Sequence, residues 1–299
     1  MMNKHKVLIH IFPLVKDIDY LERTLYLLKQ NFLFVNKNKF YIILDVTLPT
    51  SDYLTNWDDS ILKLDYFINK FEHLKSYGDC WDECHFNVND QVFGLLDNFI
   101  ISLNKHKDVD DVIILETDIV FNQYTINFLL ESSYAVKQTN PQYIITPEST
   151  KLWDSSWDII TNSKFINKPF NYRDIGDPIL DTSFDGNEIE IEPLTSGKNK
   201  YFKFGGGWFV LYSKELLNKI NFPHTLKGYG ALDDFITQYC SYSQIPTQYK
   251  LKNLIISEDC KYTKSSLYDN YVKTHNRKND YYQINNQIMA EHLKNIWNH

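Results

Sequence analysis

Three short apolar runs, within residues 6–13, 40–44 and 112–115, set the strongest limit on what this chain can fold into. Each is rich in Val, Ile, Leu and Phe and too short for an ordinary helix, which is how a strand buried on both faces reads. Between the first two, Ile18, Leu21, Leu25 and Leu28 recur at three- and four-residue spacing and make one apolar helix face. Strand, helix, strand in this order predicts an α/β unit with a right-handed crossover, whose ligands bind beyond the carboxyl ends of the strands. The same patterns predict helices over 61–77, 91–104 and 124–136, strands over 143–146 and 251–256, and a last helix from about 282 to 297. The polar span 78–90, which carries Trp81 and His85, reads as a plain surface loop.

The 299 residues are enough for one large α/β domain. Its expected parts are a first half over 1–147, an irregular insertion over 148–200, a second half over 201–280 and a terminal helix over 281–299. A net charge of −7 with no dense Lys/Arg block speaks against a general electrostatic grip on nucleic acid. The run from Val7 is broken by His10 and Pro13, and no other run reaches spanning length, so no membrane span is expected and the expected location is the cytoplasm. Four scattered cysteines read as reduced thiols. Cys80, Cys84 and His85 lack a second Cys/His pair at ligand spacing, so a zinc reading yields to that of a polar loop.

The chemistry concentrates in two places. Glu116 and Asp118 stand two apart where the third apolar run ends, so both carboxylates can face one ligand at the sheet's carboxyl edge. Such oxygen donors suit Mn2+ or Mg2+ completed by a nucleotide's phosphates, and His275 offers an imidazole that Mn2+ tolerates better than Mg2+. Asp45, at the end of the second run, reads either as a hydrogen-bond partner for a base or ribose or as a turn aspartate before Pro49. The second place is the stretch 204–239, which holds Gly206 and Gly207, a short strand, a helix, a Phe-Pro stop and Gly228, Tyr229 and Gly230 ahead of Asp233 and Asp234. The glycines let backbone approach a ligand closely, while Trp208 and Tyr229 offer flat faces for a sugar ring or base. Of the two aspartates, one can cap the following helix while the other accepts a proton from an acceptor hydroxyl.

The order Glu116-Thr117-Asp118, then Gly-Gly, Ser-Lys-Glu-Leu-Leu, Phe-Pro, Gly-Tyr-Gly, Asp-Asp and finally Lys-Thr-His-Asn-Arg-Lys-Asn-Asp resembles nucleotide-sugar-dependent glycosyltransferases of the GT-A fold. In its second half it is most similar to the β-1,4-galactosyltransferase-like group. The resemblance implies a Rossmann-like α/β fold with a mostly parallel central sheet flanked by helices. It implies a metal-binding Asp-x-Asp carried by Glu116 and Asp118, a late metal-ligating histidine at His275, a catalytic base at Asp233 and an acceptor contact at Asp234. A UDP-sugar donor, Mn2+ or Mg2+, and a glycan or other hydroxyl acceptor follow from it, with Gly206, Gly207, Trp208 and Tyr229 on the ligand side; Asp45 lies outside the residues that carry the resemblance, and its expected place beside the nucleotide rests on its position at the end of the second run. The expected reaction is an inverting hexosyl transfer. Transfer to a hydroxymethylated nucleic-acid base is a second reading. Glu116 and Leu232, which stand where that group has Asp and an acid, motivate a third, a non-catalytic binding module.

Overall fold

The computed structural model describes residues 4–13, 18–49, 64–89, 95–117, 119–121, 123–150, 189–193, 209–223, 226, 232–243, 247–258 and 277–297. Its first half alternates strand and helix: β1 (His5–Ile11), α1 (Ile18–Phe32), β2 (Phe40–Pro49), α2 (Leu64–Leu74), β3 (Glu83–Asn89), α3 (Leu95–Lys105) and β4 (Asp111–Leu115). There follow β5 (Ile119–Val120), α4 (Thr125–Lys137), β6 (Ile144–Thr150), β7 (Ile189–Pro193), β8 (Phe209–Ser213), α5 (Lys214–Leu217), α6 (Leu232–Tyr242), β9 (Thr247–Glu258) and α7 (Arg277–Trp297). The strands form one sheet in the order β3-β2-β1-β4-β8-β6-β9-β5, with β7 also paired to β9. Strands β3, β2, β1, β4, β6 and β9 run one way, while β8, β5 and β7 run against them. The fold is therefore α/β, with a mostly parallel sheet flanked by helices.

Order and handedness together decide which face each helix covers. The chain steps outward from β1 to β2 to β3, then returns across β1 to lay β4 on its other side. Right-handed crossovers in opposite directions place their helices on opposite faces. Accordingly Leu21, Leu25 and Leu28 of α1 and Phe71 and Leu74 of α2 pack with Val7, Ile9, Leu44 and Ile113. Leu96, Phe99 and Leu103 of α3 pack with Leu8, Ile43, Val112 and Ile114 on the other face, where Phe235 and Ile236 of α6 and Met289 and Leu293 of α7 join them.

Local devices hold the layers in register. Asn31 near the end of α1 accepts the backbone N–H of Ile126 at 2.9 Å, satisfying a first-turn donor of α4. Ser213 caps α5 by accepting from Leu216 N, and also accepts from Tyr143 N at 3.1 Å. At the amino edge of the sheet, buried Asp111 accepts from Tyr143 Oη and lies against His5 Nε2, both at 2.6 Å.

Four expectations are corrected. Strand β2 runs past Asp45 to Pro49, because Leu44, Val46 and Leu48 continue an apolar row into the α1 face. The span 78–90 is not a loop: a 3-10 turn, Lys75–Cys80, leads into β3, which pairs in parallel with β2. Gly78 of that turn lies so near β3 that a Cβ there would stand 2.9 Å from Cys84 Sγ. The stretch expected to be irregular contributes the end of β6 and all of β7, and its remaining residues lie outside those described. The final helix begins earlier than its periodicity suggests, at Arg277.

Candidate functional site

A parallel sheet whose strand order reverses opens a crevice at the carboxyl ends of the two strands flanking the reversal. Here those strands are β1 and β4, and the residues leaving β4 are Glu116 and Thr117. The turn is fastened from behind: Thr24 of α1 donates its hydroxyl to the Thr117 carbonyl at 2.9 Å, in the buried interior. Glu116 is half-buried directly after β4, whose Ile114 faces the side that α3 and α6 cover. Asp233 stands half-buried in the first turn of α6, next to buried Leu232. Its charge reaches the fully buried Tyr212 hydroxyl, which has no hydrogen-bond partner among the described residues and whose pKa is pushed up by burial first and by Asp233 next. Asp234 shares that turn of α6. Asp118, Gly206, Gly207, Trp208, Tyr229 and His275 lie outside the described residues.

Asp45 is not at a strand end but within β2, and it is only 1% exposed. Its carboxylate accepts from Ser102 Oγ at 2.6 Å and Asn87 Nδ2 at 2.8 Å, and the buried His106 Nε2 lies 3.4 Å away. Burial alone would push this carboxyl up, but His106, His10 and Ser102, with Lys105, outweigh it and hold the group well below the usual carboxylate range. An ionised Asp45 with its oxygens so engaged joins β2, β3 and α3.

Around it the structure assembles side chains that no sequence spacing links. His10, Asp45 and His85 are lateral neighbours on β1, β2 and β3, so their side chains share the α3 face. His106 follows α3 and stacks obliquely on His85, with ring centroids 5.0 Å apart. Glu83 Oε2 is 3.4 Å from His85 Nε2. Cys84, between them on β3, points to the opposite face and packs against the α1 core, where burial raises its thiol to about 12. Cys84 and His85 therefore cannot share an ion, as the residue types alone might suggest. Only the alternation Glu83, His85, Asn87 against Cys84, Phe86, Val88 signals this arrangement in the sequence.

No protein-family profile matches the chain. No curated protein matches it either. Among solved structures it is similar to crystal structures of Staphylococcus aureus TarS. The structure of TarS residues 1–349 shares 16% identity, covering 86% of this chain and 60% of that one with a TM-score of 0.43. The complex of TarS 1–349 with UDP gives 13%, 85%, 60% and 0.45, and the complex with UDP-GlcNAc gives 14%, 86%, 58% and 0.43. The chain thus spans about 60% of the length of the TarS fragments it resembles. No helix among the described residues is long and apolar enough to cross a membrane.

Proposed function

We propose that this chain is a metal-dependent glycosyltransferase that moves a sugar, with inversion, from a nucleotide-diphosphate donor such as a UDP-sugar to an acceptor hydroxyl. The observation that carries the proposal is the position of Glu116 directly after β4, at the β1/β4 reversal of a mostly parallel sheet, with Asp233 in the first turn of α6 on the face to which Ile114 belongs. The nucleotide lies across the strand ends, with Gly206 and Gly207 allowing close backbone approach and Trp208 and Tyr229 offering ring faces. Two carboxylates, Glu116 and Asp118, and one imidazole, His275, form a donor set that fits Mn2+ better than Mg2+. A bound ion there would supply charge neutralisation for the departing diphosphate. Asp233 takes the proton from the acceptor oxygen as that oxygen attacks the anomeric carbon from the side opposite the leaving nucleotide, and Asp234 orients the acceptor. The acceptor is a glycan or other small hydroxyl compound. The free thiols of Cys80, Cys84 and Cys240 fit action in the reducing cytoplasm.

The test combines calorimetric titration with UDP, with and without Mn2+, and UDP release from UDP-GlcNAc. Asp118→Ala is expected to lose Mn2+-dependent UDP binding. Asp233→Asn is expected to keep it while UDP release falls by about 10²- to 10⁴-fold. UDP binding lost in Asp233→Asn but intact in Asp118→Ala would overturn the assignment.

A further inference from the structure

We propose that Glu83, His85 and His106 bind one zinc ion, at a site separate from the Glu116 turn, which ties the edge strand β3 to the end of α3. The donor atoms of the three side chains all lie within 4.8 Å of one another. Around a tetrahedral ion with ligands at about 2.0–2.1 Å they would be roughly 3.4 Å apart, a contraction that side-chain rotation supplies.

Each ligand is aimed by its surroundings. Glu83 and His85 stand two apart on β3 and project to one face. The Tyr41 hydroxyl donates to Glu83 Oε1 at 2.9 Å and leaves Oε2 turned toward His85 Nε2. His106 reaches the same place from the other side, its backbone N–H bonded to the Ser102 carbonyl at 3.0 Å. It is only 6% exposed, and its buried Nε2, 3.4 Å from the Asp45 carboxylate, has no hydrogen-bond partner within normal geometry among the described residues. A buried imidazole with an unsatisfied nitrogen beside a second imidazole and a carboxylate is poorly explained by packing alone. Asp45, itself held by Ser102 and Asn87, keeps a carboxylate 3.4 Å from His106 Nε2, a negative charge that favours a cation beside that ring.

The donor set selects the metal. Two imidazoles and one carboxylate suit Zn2+, whereas Mg2+ and Ca2+ prefer all-oxygen shells. Glu83 is exposed, so water completes the coordination. The site is on β3 and the Glu116 turn follows β4, three strand spacings or about 14 Å across the sheet.

The experiment uses the full chain after chelator treatment. Zn2+ is titrated in competition with a chromophoric chelator, and Co2+ is added in parallel to read the intense visible bands of four-coordinate cobalt. One equivalent that carries those bands is expected to bind at micromolar or lower concentration, whatever further ion the Glu116 turn takes up. His85→Gln and Glu83→Gln, at half-buried and exposed positions of an edge strand, are each expected to weaken Zn2+ binding at least about tenfold and to remove the cobalt bands. Glu116→Gln and Cys84→Ala are expected to retain both. Absence of the bands in the unsubstituted chain, their survival in either β3 variant, or their loss in Glu116→Gln would overturn the proposal.

Discussion

At the scale of single residues, His10 makes the clearest demand. It is 1% exposed, and neither ring nitrogen has a hydrogen-bond partner among the described residues. Burial pushes its pKa down to about 4; the Asp45 charge works the other way, and His106 adds to the lowering. In the unfolded chain an imidazole titrates near 6.5. Between those two values the unfolded state holds the proton that the folded state refuses, so stability is present above about pH 6.5 and falls as the pH drops toward 4. The full loss is about 3 kcal/mol. His10→Leu removes that slope with little change at neutral pH, since no hydrogen bond is lost. Urea midpoints measured from pH 7.5 to 4 check this, and an unchanged slope in the variant rejects it. The same residues show what the sequence displayed and what it hid. The apolar run ending at Leu44 suggested that Asp45 closes a strand. Yet Val46 and Leu48 continue the alternation, and Asp45 and Thr47 are polar because they face a polar pocket. A buried carboxylate interrupts an apolar run just as a strand end does, and only its distant partners Ser102 and His106 tell the two apart.

At the scale of elements, helices with one apolar stripe were legible because three- and four-residue spacing survives any tertiary context. Strand β3 was not, since its outer residues Glu83, His85 and Asn87 give the composition of a loop. Its inward row, Cys84 and Phe86, becomes informative only when β2 is known to lie beside it. The joint between β2 and α3 rests on Ser102 donating to Asp45. Ser102→Ala strips a buried, ionised carboxylate of that donor and is expected to cost about 1–3 kcal/mol. Hydrogen exchange is the suitable measurement: protection should fall in α3 and β3 more than in α1. A uniform loss across all helices would place the cost elsewhere.

At the scale of the whole molecule, strand succession along the chain announced an α/β sheet but not the order within it. That order, with β4 placed on the far side of β1, decides both the face of each helix and the position of the crevice. It is a property of long-range pairing that local periodicity does not carry. The buried Asp111 joins β1, β4 and β6 near the opposite edge of the sheet, through His5 and Tyr143. Asp111→Ala leaves both partners unsatisfied and is expected to lower global stability by about 3 kcal/mol. Mn2+-dependent UDP binding should be unchanged in the fraction that remains folded. A thermal melt together with calorimetry separates the two effects, and loss of binding by fully folded protein would contradict the division.

The sheet also sets a schedule for the chain as it is made. Strands β1 to β4 occupy the first 115 residues, but the strand that covers the outer side of β4 is β8, whose Phe209 pairs with Leu115. At ribosomal rates of about 5–20 residues per second, β4 waits roughly 5–20 s with the backbone groups of its outer edge unpaired. A nascent half-sheet with a bare, apolar edge invites pairing with its neighbours on the same messenger. Slow decoding between these two strands therefore prolongs a vulnerable interval that the finished protein no longer shows.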